Sequence, residues 1–371
     1  MPDINSDSAS AGASGIDADA ERLHAFIATM WTRLGSQPRE AQLLADHLVL
    51  ANLSGHDSHG VGMAPRYLRS LREGTLHLNR HARIVRDAGA LLTVDGDMGF
   101  GQVSAHEAMA LGIERAKTLG ICAVGLRNAH HIGRIGHWAE QCADAGLVSF
   151  HFVNVAGDPL VAPFGGRDAR IGTNPFCAAF PRAGKPPLVL DFATSRVAYG
   201  KARVAYNKGV RLPADSVIDP DGISGDDPGV MFAEPRGALL PFGEHKGYGL
   251  AAICEIFGGA LAGGRTTHAA SLVSGGVIIN GMLSVIIDRS GFDAPDADSE
   301  AEAFLDWLKA APSAPGVDVV QTPGEPEQRL RAQRREHGIP IDRATCLQLI
   351  DCAHQAGMPQ AEIDAVFGAS A

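Results

Sequence analysis

The chain has 371 residues, 45% of them hydrophobic and 20% charged, with a formal net charge of -10. That length and apolar share can bury a sizeable core in two or more subdomains. The acidic balance, without any Lys/Arg block, argues against nucleic acid as a partner, because phosphate binding draws on clustered cations. No apolar run approaches the roughly 18 residues that cross a bilayer, so no membrane partner is expected. The six cysteines form no C-x-x-C pair and read as buried thiols of a reducing compartment, the cytoplasm, and not as a zinc site.

Met1 to about Gly15 is Ser, Ala, Gly and Asp without a basic or apolar signal region, and is expected to be a disordered leader. From Asp17, Leu23, Phe26, Ile27 and Met30 recur at helical spacing until Gly35. Pro38 opens a second helix, whose buried stripe (Ala41, Leu44, Ala45, Leu48, Val49) ends at Asn52. Directly behind it stands Gly55-His56-Asp57-Ser58-His59-Gly60, with two imidazoles, a carboxylate and a hydroxyl in four residues. Histidine titrates near neutral pH and can lend a proton to a developing alkoxide. The negative end of the helix dipole favours the protonated ring. The reading is an acid/base centre; a helix cap with a solvated imidazole is the bland alternative.

A short helix after Pro65-Arg66-Tyr67 runs to Gly74, and Arg83 to Asp95 alternates like a strand pair. His106 to Leu119 is predicted helical. Ile121 to Leu126 suits a strand buried on both faces and delivers the cluster from Asn128 through His130, His131, Gly133 and Arg134 to His137. Its glycines let a ligand approach the backbone. No metal is expected there, because adjacent histidines on a strand point apart and no carboxylate is spaced to complete a site.

Trp138 to Ala145 is predicted helical, and Val148–Val153, Phe176–Phe180 and Leu188–Phe192 are predicted strands. Thr194 or Ser195 is expected to cap a following helix, a terminus that suits phosphate or carboxylate. Residues 207–228, rich in Pro, Asp and Gly, are expected to form a long surface loop of the kind that can close over a site. Gly247, Gly249 and Ala252 formally match a dinucleotide fingerprint, yet neither a βαβ unit nor a downstream acidic residue supports it. A Gly-rich helix entry presenting His245 and Lys246 to an anion is the better reading. Val277–Asp288 is an apolar strand with one amide, Asn280. Glu300–Ala310 is helical, Thr322–Glu327 is a turn, and the remainder is helical with breaks at Gly338–Pro340 and Gly357–Pro359.

Taken in order, GHDSHG with Pro65 and Tyr67, NAHHIG with Gly136, GTNP (Gly172–Pro175), LDFATS, EHKGYGL and TPGEPE resemble the malate/L-lactate dehydrogenase family of the non-Rossmann type, from about Ala20 to the C-terminus. The resemblance implies an α/β fold with a largely antiparallel seven-stranded sheet flanked by helices. It divides the chain into a leader (1–16), a helical subdomain (17–80 plus 326–371) and an NAD(P)-binding sheet domain (81–325). It further implies a homodimer with the active site near the subunit boundary, using NAD(P)H, NADH or NADPH unresolved, to reduce small 2-oxo acids reversibly to 2-hydroxy acids.

In that family the position of His59 is the proton donor, and Ser58 and His131 match neighbours that orient substrate and acid. Cofactor contacts carry over to His59, Gly133, Arg134, Ile135, Val189, Leu190, Asp191, Phe192, Ala193, His245, Asn280, Thr322, Pro323, Gly324 and Glu325, with Lys246 added by its place at the helix entry. Many members carry an arginine where this chain has Met63. The substrate carboxylate then falls to Arg66 or Arg134, with Met63 on the pocket wall. Reduction of cyclic imine carboxylates is the alternative within the family. A metal hydrolase built on His56, His59, His130 and His131 is the alternative outside it.

Overall fold

The computed structural model describes residues 15–271 and 277–368. The expected leader therefore lies outside the described residues except for its last two positions, and Ile16 already opens a strand. In chain order the first elements are β1 (Ile16–Ala18), α1 (Ala20–Arg33), α2 (Pro38–Leu53), α3 (Ala64–Arg72), β2 (Arg83–Ala88), β3 (Leu91–Asp95) and α4 (Gly101–Leu119). Next come β4 (Ile121–His130), α5 (Gly136–Asp144), β5 (Val148–Ala156), β6 (Phe176–Arg182), β7 (Lys185–Phe192), α6 (Tyr199–Lys208), β8 (Val217–Ile218), β9 (Ser224–Gly225) and β10 (Ala238–Leu239). The remainder is α7 (His245–Cys254), continued by a π-helical stretch Glu255–Leu261, then β11 (Ile279–Ile287), α8 (Ala297–Lys309), α9 (Glu325–His337), β12 (Ile339–Ile341), α10 (Arg343–Gln355) and α11 (Gln360–Phe367).

Seven strands form one sheet in the order β2-β3-β4-β11-β5-β6-β7. The pairs β2–β3, β4–β11, β11–β5 and β5–β6 are antiparallel and β3–β4 is parallel, so the sheet is mixed and mostly antiparallel, as expected. The apolar run at Ile121 does make a central strand, with Cys122, Val124 and Leu126 inaccessible and Met282 and Ile286 of β11 equally so. β4 continues four residues past the expected end, to His130, because Ala129 and His130 still pair with Asn280 and Ile279. Asn128 takes a left-handed conformation (φ 51°) inside that strand.

By its contacts the chain divides into two units. The first comprises the residues up to Arg69, Phe180–Val189 and everything from Arg289 on. Its helical core follows the stripe read from the sequence: Leu23, Ile27 and Met30 of α1 and Leu44 and Leu48 of α2 are fully buried, joined by Trp31, each aliphatic side chain contributing about 1.5–3 kcal/mol. Asp19 caps α1 through Arg22 N (2.9 Å). β1 pairs antiparallel with β12, where Pro340 sits opposite Asp17 on a two-stranded edge that tolerates its missing N–H.

The second unit, Ser70–Ala179 with Leu190–Asp288, holds most of the large sheet. Two expectations need correction within it. The stretch 207–228 is not one long loop: β8 and β9 join β10 in a small antiparallel sheet, and Val217 packs with Met231 and Leu239. Neither Thr194 nor Ser195 caps a helix, since α6 starts at Tyr199 behind Ala198. The Thr194 hydroxyl instead donates to the carbonyls of Thr173 and Asn174 (2.9 and 3.0 Å), and that of Ser195 to Val197 O (2.8 Å). Among the described residues, no helix is long and apolar enough to cross a membrane.

Candidate active site

In the first unit, the polar cluster follows α2 as two consecutive 3-10 turns, Asp57–His59 and Val61–Met63. Gly60 is required sterically: a Cβ there would lie 2.1 Å from Asn52 Oδ1. That oxygen accepts the Val61 N–H (2.8 Å) while Asn52 Nδ2 donates to Asp57 Oδ1 (2.7 Å), so one amide spans the turn. Arg334 of α9 closes on both oxygens of Asp57 (2.7 and 3.1 Å), and Glu327 of α9 lies 3.4 Å from His56 Nε2. Arg331 Nε donates to Ser54 Oγ (2.7 Å). Two of the four polar residues are thereby tied to α9. The other two meet each other, Ser58 Oγ standing 3.0 Å from His59 Nδ1. His59 and Met63 are half-buried, and Ser58 and Arg66 are exposed.

The same unit brings Val189 and the Thr322–Glu325 turn together. Val189 N donates to Pro323 O (3.3 Å), and Gly324, at φ 90°, passes so near that a Cβ would stand 3.3 Å from Val189 N. Glu325 Oε2 accepts the Thr322 N–H (2.8 Å). Burial opposes its ionisation, but the Lys309 ammonium and that N–H hold the carboxyl below its usual range.

In the second unit, the loop leaving β4 is fixed from two sides. Asn280 Oδ1 accepts Ile132 N–H (2.9 Å) and Asn280 Nδ2 donates to Asn154 O (2.9 Å), so its amide is engaged within the protein and only 2% exposed. Gly133 follows at φ 73°, where a side chain would be strained. Arg134 is buried; its guanidinium donates to both oxygens of Glu140 (3.1 and 3.0 Å), and its Nε lies 3.5 Å from Asp191 Oδ2. Burial alone would lower its pKa, yet the two carboxylates outweigh that and raise it. What Arg134 can offer a ligand is therefore its backbone. His131 is buried beside this loop, and the carbonyls of His130 and His131 lie so close to Gly101 that a Cβ there would meet them at 2.1 and 2.4 Å.

Asp191, Phe192 and Ala193 at the end of β7 are half-buried, and Leu190 is exposed. Phe242 N donates to Thr194 O (3.0 Å) and Phe192 meets Phe242 edge to face at 5.3 Å, which ties this segment to the entry of α7. His245 and Lys246 are exposed in the first turn of that helix. Gly247 of the formal fingerprint serves packing, since a Cβ would come within 2.2 Å of Phe242 O. These residues fit a dinucleotide: Leu190 and Phe192 offer apolar surface, Asp191 a polar one, and Lys246 at a helix N-terminus a cation for phosphate.

Glu140, Asn154 and Arg334 were not singled out from sequence. Asn154 carried a readable signal, an amide inside an apolar strand like Asn280. The other two carried none, because a charge on a polar helix face looks solvated. The histidine inside β5 is a further buried polar group: His151 places Nδ1 2.8 Å from Ser284 Oγ and Nε2 2.9 Å from Ser149 Oγ, and burial pulls it down to about 3.

Residues 18–350 match the family model for malate/L-lactate dehydrogenase. The chain belongs to the malate/L-lactate dehydrogenase family, oxidoreductases of the CH–OH group that in general depend on NAD(P). Its likeness extends to hydroxycarboxylate dehydrogenase B of Escherichia coli K12, at 54% identity over 353 residues, covering 95% of this chain and 98% of that protein. The sulfolactate dehydrogenase structure from Methanocaldococcus jannaschii superposes with a TM-score of 0.84 at 30% identity, covering 95% and 99% of the two chains. The Δ1-piperideine-2-carboxylate reductase structure from Pseudomonas syringae gives 0.80 at 30%, covering 91% and 99%.

Proposed function

We propose that this chain reversibly reduces 2-oxo acids to 2-hydroxy acids with NAD(P)H, His59 giving its proton to the carbonyl oxygen. The observation that carries the reading is the Ser58–His59 contact at Nδ1 in a turn whose other polar residues are held by α9. A hydroxyl at one ring nitrogen fixes the imidazole's orientation, and Nε2 is then the atom that hands over the proton. The nicotinamide supplies the hydride when bound. Gly133 to Ile135, Val189 to Ala193, His245, Lys246 and Thr322 to Glu325 bind it, with Asn280 fixing the backbone at Ile132. His131 orients the substrate. The exposed Arg66 takes the substrate carboxylate, and Met63 lines the pocket with an adaptable apolar side chain that admits varied R groups.

The working form is a homodimer, to be checked by sedimentation. A reducing compartment, the cytoplasm, is supported by six buried cysteines that form no disulfide.

The reductase of Pseudomonas syringae acts, by its name, on a cyclic imine carboxylate, and that likeness supports the second reading. Oxidation of NADH and NADPH followed at about 340 nm against 2-oxo acids and a cyclic imine acid separates the two. His59→Ala should lower kcat for the 2-oxo acid by about 10²–10⁴-fold with dinucleotide affinity little changed. Near-normal turnover by that variant would sink the assignment of His59.

A further inference from the structure

A guanidinium stripped of water is costly to bury, and it is tolerated only where its charge and its donors are met. Arg134 is in that position: its side chain is 2% exposed, against 14% for Glu140 and 10% for Asp191. One cation thus faces two carboxylates. The second of these finds another donor, because Asp191 Oδ2 accepts the backbone N–H of Gly136 at 2.8 Å. Gly136 is required for this closure, since a Cβ there would sit 2.4 Å from Arg134 Nη2 and 2.7 Å from Asp191 Oδ2. The partners come from different elements: Glu140 stands on α5, Asp191 at the end of β7, and Arg134 on the loop that joins β4 to α5. A helix, a strand end and a loop are locked by one fork.

We propose that Arg134 is a positioning residue for dinucleotide binding: closed on Glu140 and Asp191, it sets the spacing between the backbone of Ile132–Ile135 and that of Leu190–Ala193. The inference rests on the reading that these two segments hold the nicotinamide cofactor. It gives Arg134 no contact with the substrate carboxylate. Lysine is a poor substitute, because an ammonium lacks the planar fork that meets both oxygens of Glu140 side by side while Nε faces Asp191.

The test uses the full chain. Hydrogen exchange without ligand reads the clamp itself, and quenching of tryptophan fluorescence by NADH or NADPH reads dinucleotide affinity. Each variant is first checked for folding by circular dichroism. Glu140→Gln and Arg134→Lys should speed exchange at Gly136 and Ile132 and raise the dinucleotide Kd by about 10–100-fold, the scale on which a small misplacement acts. Glu140→Asp, which keeps the charge, should recover part of that loss. The KM for 2-oxo acid at saturating dinucleotide should stay within about twofold, as for any loss confined to cofactor binding.

A folded Glu140→Gln variant with wild-type Kd and exchange overturns the proposal. So does Arg134→Lys raising the KM for 2-oxo acid alone, which would make Arg134 a substrate ligand. A wild-type chain that binds neither dinucleotide would overturn the cofactor reading and the affinity claim with it, and exchange would still decide whether the clamp exists.

Discussion

Two arginine–carboxylate forks hold the loops that matter most here, and they differ in how much water reaches them. Arg134 and Glu140 are almost without water and lie six residues apart, on a loop and the helix it feeds. Arg334 and Asp57 make the same two-pronged contact across 277 residues, with Arg334 14% and Asp57 49% exposed. The geometry is alike and the energetics are not. Charges in a dry site cannot separate without leaving one uncompensated, so opening the buried fork is costly. An exposed pair competes with water and salt, and its part is to orient the turn that carries His59 more than to stabilise the fold.

The sharpest way to break the comparison is Arg134→Met, which leaves Glu140 and Asp191 facing each other without a cation. Its expected cost is about 3–5 kcal/mol of unfolding free energy, read from urea titration. A loss no larger than that of a surface pair would mean that water reaches the site and the contrast is false.

A second probe asks whether this interior punishes charge in general. His151 is fully enclosed with a folded pKa near 3, whereas the unfolded chain takes up its proton near the ordinary histidine value. The neutral form is therefore the folded form, and stability present above that ordinary value is lost as pH falls toward 3. Between roughly pH 6.5 and 4 the wild type should lose about 3 kcal/mol more than His151→Gln. Parallel pH profiles for the two proteins would show that water follows the imidazole into the sheet.

The smallest effect belongs to the exposed fork. Arg334→Gln should cost only about 0.5–1 kcal/mol, a difference that shrinks as salt is added. Turnover should nevertheless drop by about twofold to tenfold through a loosened His59, with dinucleotide Kd unmoved. A stability loss equal to that of Arg134→Met would erase the distinction between the two forks.

How much of this was legible in the sequence follows the distance between partners. The stripes of α1 and α2 and the apolar strand at Ile121 were readable because burial repeats locally, and the ordered motifs named the family and its sheet. The GHDSHG stretch was visible as dense proton chemistry. That His56 and Asp57 are bound to α9 was not, since Glu327 and Arg334 are separated from them by more than 270 residues. Arg134 looked like a ligand-gripping cation, and its true partners needed Asp191 from 57 positions downstream. Thr194 looked like a helix cap because Ser and Thr cap helices often, but carbonyls of the Thr173–Asn174 turn claimed its hydroxyl first.

The antiparallel pairing of β1 with β12, together with the Asp57–Arg334 contact, fixes an order of events during synthesis. A chain emerging at about 5–20 residues per second leaves Asp57 waiting for an arginine 277 positions later, roughly a quarter of a minute to one minute. Until then Ile16–Ala18 has no strand to join, and the turn bearing His59 lacks its brace. The segments of the second unit are all synthesised before Arg334. His59 stands 275 positions ahead of Arg334, so the turn that carries it is made long before its brace.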